Sequence, residues 1–162
     1  MQEALAEAVV KMLKEAGMTV TTVESCTGGL LSGTLVDVAG VSDVFNQAYV
    51  TYANEAKQSL VGVKEETLEA YGAVSEQTAR EMAEGGAKAA CADAALSVTG
   101  IAGPDGGTEE KPVGLVYIGC SIRGNTVVRR NVFSGSRREV REQSVVSALM
   151  LLKECLQKDK QD

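Results

Sequence analysis

Val20-Thr21-Thr22-Val23-Glu24-Ser25-Cys26-Thr27-Gly28-Gly29-Leu30 joins a β-branched run to a polar, Gly-rich turn and then to the apolar start of a helix. A strand that ends in such a turn and opens a helix is the unit from which α/β folds are built, and ligands in such folds collect at the carboxyl ends of strands. The turn offers hydroxyls at Ser25 and Thr27, a thiol at Cys26, and two glycines that let a ligand approach backbone N–H groups. The chain has no histidine, so a Ser-His-Asp or Cys-His arrangement is excluded and any nucleophile in this turn needs another proton acceptor.

Outward from this turn the pattern continues as alternating helices and strands. Leu5, Val9, Met12 and Ala16 recur at helical spacing and Gly17 stops them, which predicts a first helix leading into a strand from Thr19 to Val23. Leu31, Leu35 and Val38 predict a second helix reaching Gly40, and Phe45 to Tyr52 reads as strand. Helical pieces follow over Asn54 to Leu60 and Glu65 to Ala70. Ser75 then reads as the N-cap of a helix to about Cys91, whose Ala79, Ala83, Gly86, Ala87 and Ala90 suit close packing on a sheet. Ala94 to Val98 predicts a buried strand. Val113 to Ile122 and Thr126 to Phe133 predict a hairpin closed by Arg123-Gly124-Asn125, and Arg137 to Leu156 a last helix with Val145, Leu149, Leu152 and Leu156 on one stripe. These elements predict a single α/β domain over 1–162, layered α/β/α around a mixed, partly parallel sheet, with a frayed polar tail at 157–162.

Composition narrows the function. The chain has 162 residues, 44% of them hydrophobic, enough for one core. No apolar run approaches the roughly 20 residues that span a bilayer, and Met1 to Ala8 does not read as a signal peptide, so a cytoplasmic location with no membrane partner is expected. A net charge of −6 opposes nucleic-acid binding, although Arg123, Arg129, Arg130, Arg137, Arg138 and Arg141 crowd into the C-terminal third, where an anionic small molecule would meet local positive charge. Cys91, Cys120 and Cys155 read as small buried hydrophobes. No Cys-x-x-Cys pair or histidine supports a zinc site, so no metal is expected.

Polar clusters stand at the ends of predicted strands or the starts of predicted helices: Glu24 to Gly29, Tyr52-Ala53-Asn54-Glu55-Ala56-Lys57, Thr99-Gly100-Ile101-Ala102-Gly103-Pro104, and Ser134-Gly135-Ser136-Arg137. Without histidine, a lysine of depressed pKa is the natural base for a serine, and Lys57 is the candidate, with the Tyr52 phenol to relay a proton or orient the amine. The alternatives are a solvated surface lysine and a half-buried packing tyrosine. Cys26 is the rival nucleophile. The N–H groups of Thr27, Gly28 and Gly29 would hold either an oxyanion or a phosphate. Thr99 would donate to substrate, orient Lys57, or simply cap its turn. Asp105 reads as a turn carboxylate, and Arg137 as a partner for phosphate or for an acidic side chain.

At these residues the chain resembles the CinA C-terminal-domain family, the nicotinamide mononucleotide amidohydrolases. The resemblance rests on Glu24 to Gly29, Tyr52 to Lys57, Gly72-Ala73-Val74-Ser75, Thr99 to Gly107 and Lys111-Pro112-Val113-Gly114, in the family's order, and covers about residues 5 to 156. It implies hydrolysis of the substrate carboxamide to nicotinate mononucleotide and ammonia in pyridine-nucleotide salvage, without metal or cofactor. It further implies Ser25 as nucleophile, with Lys57, Tyr52 and Thr99 handling protons and orientation. Thr27, Gly28, Gly29, Gly100, Ala102, Gly103 and Arg137 are the expected substrate contacts. A homo-oligomer, most simply a dimer, is implied, and at this length the chain is similar to the family's stand-alone form. Where the family has Gly-Asp-Arg, this chain has Gly135-Ser136-Arg137. A non-catalytic nucleotide-binding module is the competing class, since the same glycine loops could cradle a phosphate without turnover.

Overall fold

A computed structural model of the chain describes residues 1–162. The first helix, α1 (Gln2–Ala16), buries Ala6, Val9, Val10 and Leu13, and ends where Gly17 takes the left-handed conformation. Strand β1 (Val20–Glu24) follows, buried at every position. Helix α2 (Leu30–Val36) is one turn shorter than its apolar spacing suggests, because the chain leaves it for a loop and a 3-10 turn at Val41–Asp43 entered through Gly40 at φ 80°.

The strand expected over Phe45 to Tyr52 contracts to β2 (Tyr49–Val50), which pairs with Val23 and Glu24; Phe45 makes only an isolated bridge to Val20. Helices α3 (Asn54–Val61), α4 (Glu65–Tyr71) and α5 (Glu76–Ala90) come next. The Ser75 hydroxyl caps α5 by accepting from the Thr78 N–H at 3.1 Å.

Strands β3 (Ala94–Gly100), β4 (Leu115–Ile122) and β5 (Asn125–Val132) lead to α6 (Arg137–Asp159). The β4–β5 hairpin is tighter than its sequence suggests: Ile122 pairs with Asn125, and only Arg123 and Gly124 form the turn, both at positive φ. Helix α6 runs through Asp159, so the first half of the tail expected to fray continues the helix. Of the three distal cysteines expected to be buried, Cys120 is, whereas Cys91 at the end of α5 is exposed and Cys155 is half-buried.

The sheet order is β2-β1-β3-β4-β5, with β1 parallel to β2 and β3, and β4 antiparallel to both its neighbours. Period-two alternation splits its faces. Leu96 and Val98 of β3 with Val116, Ile118 and Cys120 of β4 join α1, α2 and α6 in the larger core. Val23 faces the other way, onto Val61, Leu68 and Met82 of α3, α4 and α5.

The small residues of α5 do what their spacing predicts. Ser97 of β3 donates to the Ala79 carbonyl at 2.6 Å, and a Cβ on Gly119 would lie 2.9 Å from that same carbonyl. Helix and sheet are therefore in backbone-level contact. The layered α/β/α arrangement with a mixed sheet follows from these two cores.

Candidate active site

The carboxyl end of β1 is where the polar turn emerges. Ser25 follows directly, its N–H donating to Val98 of β3 at 2.9 Å, so the nucleophile candidate is held between two central strands. Helix α3 starts beside it, and Lys57, in the first turn of that helix, projects inward with 1% of its surface exposed. Its Nζ lies 3.1 Å from Ser25 Oγ, 2.7 Å from the Thr51 carbonyl and 3.3 Å from the Tyr52 carbonyl.

Burial lowers the pKa of this amine below the ordinary lysine value, and no carboxylate pairs with it. A neutral amine has two hydrogens and one lone pair. In that form two carbonyls would take the hydrogens and leave the lone pair to accept from the Ser25 hydroxyl, whereas an ammonium donates to Ser25 Oγ. The surface-lysine alternative is thereby removed.

Ser25, Lys57 and Thr99 line a cleft of about 260 Å3 with Tyr52, Arg137 and the Gly100–Gly103 loop. Thr99 is buried and donates to the Ala73 carbonyl at 2.8 Å, so of its three expected uses, toward substrate, toward Lys57 or as a cap on its own turn, its hydroxyl hydrogen serves none and braces the α4–α5 connection. The Tyr52 phenol stands at the rim, 64% exposed, and partners Arg137 Nη2 at 3.2 Å. It is the carbonyl of Tyr52 that touches the lysine, which corrects the expected phenol relay. Arg137 also donates to the Gly103 carbonyl at 2.8 Å and so ties the second glycine loop to the rim. Asp105 stands in the same cleft.

Of the N–H groups expected from the Thr27-Gly28-Gly29 turn, that of Gly28 is taken within the chain. Thr27 is buried, and the Gly28 N–H donates to the Ser25 carbonyl at 3.1 Å. The start of α2 is already occupied by an anion of the chain itself. Glu24, fully buried, accepts from the N–H of Leu31 at 2.8 Å and of Ser32 at 3.0 Å. A second anion at that helix start would meet a carboxylate, so it is not a phosphate site. The N–H groups of Cys26 and Thr27, next to the serine, have no carbonyl acceptor.

Sequence reading missed two residues. Glu24 is one, although its position at the strand end was visible. Arg141 of α6 is the other: Nε donates to the Cys26 carbonyl at 3.0 Å and Nη2 to the Thr27 carbonyl at 2.9 Å, strapping the turn from behind. Its only sequence signal was the arginine crowding.

Cys26 loses its claim as rival nucleophile, because burial pushes its thiol up to about 11. Ser136 accepts from the Glu139 N–H and completes a capping box at the start of α6. Aspartate and serine are equivalent N-caps, so the departure from Gly-Asp-Arg keeps the helix start that presents Arg137.

The family model described as the CinA C-terminal domain matches residues 2–156. The chain belongs to the CinA C-terminal domain family. A CinA-like protein of Kosmotoga olearia is 51% identical over 155 residues, covering 96% of this chain and 38% of that protein. A relative from Clostridioides difficile named for competence-damage induction is 54% identical over 140 residues, 86% of this chain and 34% of its own. The chain thus spans little more than a third of these curated relatives.

Solved structures match nearly end to end. The competence/damage inducible protein CihA from Agrobacterium tumefaciens has a TM-score of 0.93 at 44% identity, with 96% of this chain and 95% of that one covered. A CinA superfamily protein from Klebsiella pneumoniae reaches 0.94 at 35% identity, covering 98% and 99%. The layered fold is therefore that of CinA domains.

Proposed function

We propose that this CinA domain hydrolyses the carboxamide of nicotinamide mononucleotide to nicotinate mononucleotide and ammonia, in pyridine-nucleotide salvage, with Ser25 as nucleophile and Lys57 as base. The observation that carries the reading is the buried amine of Lys57, its pKa lowered by desolvation, 3.1 Å from a serine hydroxyl at a strand end. The Ser25 proton passes to Lys57 Nζ as Oγ bonds to the carboxamide carbon. The N–H groups of Cys26 and Thr27 are the candidate oxyanion donors: Arg141 holds the Cys26 carbonyl, whose peptide unit carries the Thr27 N–H, and the Gly28 N–H holds the Ser25 carbonyl, whose peptide unit carries the Cys26 N–H.

Collapse of the tetrahedral adduct breaks the C–N bond. The Lys57 ammonium returns the proton to the departing nitrogen, so ammonia leaves and a nicotinoyl ester of Ser25 remains. Water then attacks that ester with Lys57 again as base, and nicotinate mononucleotide is released. The cationic pyridinium draws electrons from the carboxamide and eases the attack. Arg137 at the rim suits the phosphate as a charge-assisted donor, and Asp105 in the same cleft suits the cationic ring.

The reading needs no added cofactor, takes a small-molecule substrate with no nucleic-acid or membrane partner, and assigns the chain to the cytoplasm as a homo-oligomer, most simply a dimer. No helix of the chain is long and apolar enough to cross a membrane. The test is incubation with nicotinamide mononucleotide, following ammonia and nicotinate mononucleotide together, with Ser25→Ala beside it. Equal release of both products, abolished in the variant, supports the amidohydrolase. Saturable binding without release by the unaltered chain would replace it with the nucleotide-binding module.

A further inference from the structure

The segment between β3 and β4 is built as a flap beside the cleft. Its base is closed by the Ile101 N–H on the Leu115 carbonyl at 2.9 Å and the Gly114 N–H on the Ile101 carbonyl at 2.8 Å. Its two limbs press together where Gly103 and Gly107 leave no room for a Cβ beside Val113. At the tip the Thr108 N–H donates to the Lys111 carbonyl at 2.7 Å. Residues of the first limb, Asp105 among them, line the cleft.

Two cations hold this flap, and neither goes to its cleft carboxylate. Arg137 donates to the Gly103 carbonyl at 2.8 Å, two residues from Asp105, and to the Tyr52 hydroxyl at 3.2 Å. Lys111, on the second limb, reaches out of the flap to the Tyr71 carbonyl at the end of α4, at 2.6 Å. Gly72, at φ 78°, lets it through, since a Cβ there would lie 3.2 Å from Lys111 Nζ. None of the chain's ion pairs includes Asp105, Arg137 or Lys111. Opposite charges on one small flap would pair if they were free to do so. Here both cations are tied to neutral oxygens, and the carboxylate in the cleft is left without a counter-charge.

We propose that this flap is the specificity element of the cleft: Asp105 is the counter-ion for a fixed positive charge on the ligand's ring, and Lys111 is a positioning residue that latches the flap through Tyr71. The inference rests on the amidohydrolase reading and narrows its substrate class to N-substituted pyridinium cations. The same mononucleotide with an uncharged 1,4-dihydropyridine ring is the form rejected. The two forms share ribose, phosphate and carboxamide, so Arg137 and the Ser25 turn meet the same groups in both, and only a group that senses the ring charge separates them.

The test measures binding of both ring forms by calorimetry to Ser25→Ala, which leaves the ligand intact, beside hydrolysis by the unaltered chain. The oxidised form should bind about 4- to 17-fold more tightly, the attraction of one charge pair about 5 Å apart at an effective dielectric constant of about 40–80. Adding Asp105→Asn, at an exposed position, should erase most of this preference by weakening the oxidised form alone.

Adding Lys111→Met tests the latch by its sign. On charge alone, removing a cation leaves binding of a cationic ring unchanged or strengthens it. Loss of the latch should instead weaken the oxidised form roughly 2- to 12-fold, the worth of one hydrogen bond, and Lys111→Arg, which can still donate to the Tyr71 carbonyl, should restore it. Equal affinity for the two ring forms, a preference that survives Asp105→Asn, or undiminished binding of the oxidised form by Lys111→Met would each overturn the proposal, while ammonia release by the unaltered chain would leave the amidohydrolase reading standing. No binding of either form together with no ammonia release would overturn that reading and this proposal with it.

Discussion

Replacing Lys57 by methionine keeps an unbranched apolar stem in the buried slot and removes the amine. Two consequences with opposite signs follow, and together they are hard to produce by accident. Catalysis should collapse, because a positioned general base contributes about 10²- to 10⁴-fold. Stability should respond to pH in the other direction. Burial lowers the folded pKa of Lys57 below 10.5, so between that lowered value and 10.5 the unfolded chain binds a proton that the folded chain does not.

Stability of the unaltered protein therefore rises with pH across this window, by up to about 1.4 kcal/mol per pH unit, and the contribution is lost as pH falls toward the folded pKa. Lys57→Met lacks the term. Its stability relative to the parent should improve as pH falls through the window, against a constant cost of roughly 1–3 kcal/mol for each Thr51 or Tyr52 carbonyl left without its donor. Urea unfolding at several pH values between 6 and 10, with initial rates on nicotinamide mononucleotide, measures both. In the parent, kcat/KM should rise with pH as Lys57 loses its proton, with a midpoint below 10.5. A pH-independent stability difference, or a variant keeping more than a tenth of the parent kcat, would refute the neutral buried base.

Cys26→Ala should retain kcat within a few-fold, because a thiol pushed up to about 11 supplies little thiolate at neutral pH; the same rate assay decides it. Arg141→Gln should cost roughly 2 kcal/mol and lower Tm by about 4–8 °C, since the turn loses two charge-assisted bonds, and kcat should fall more than KM rises. Arg137→Gln should raise KM for nicotinamide mononucleotide about 10- to 100-fold while hardly changing turnover of the phosphate-free nucleoside, a comparison that tests the rim arginine as the phosphate contact.

How far the sequence reaches depends on whether a residue acts through its neighbours in the chain or through distant ones. Helix spans, the Ser75 cap and the small face of α5 are local patterns and are read without the fold. Ser25 and Lys57 were legible as residue types at strand and helix ends, but their 3.1 Å approach is not, because it depends on α3 packing back across the end of β1. The phenol of Tyr52 was misassigned for the same reason. Its backbone and its side chain serve different partners, and sequence does not say which of the two faces the lysine. Arg141 lies 114 residues beyond the Thr27 carbonyl it holds, and no local pattern links them. The length of β2 failed on competition: Phe45 to Tyr52 has strand propensity, yet only Tyr49 and Val50 find a partner strand.

The polar turn also shows why a Gly-rich strand-to-helix junction need not be a phosphate cradle. Such loops bind anions when the first N–H groups of the helix are unpaired. Here Glu24, the residue before the candidate nucleophile, turns back and takes the N–H groups of Leu31 and Ser32 from inside the fold. Negative charge is therefore supplied to α2 by the chain itself, and the Arg137 guanidinium stands apart from it at the rim of the cleft. Arg141 holds the carbonyls of Cys26 and Thr27 backward and the Gly28 N–H holds that of Ser25, so the three peptide units that follow Ser25 are fixed by their oxygens. Donors fixed in this way cost no reorganisation when an oxyanion develops, which is the condition under which they stabilise a transition state more than a ground state. Glu24 and Arg141 thus divide the turn between them, one closing the helix start to anions and the other orienting the peptides beside the serine.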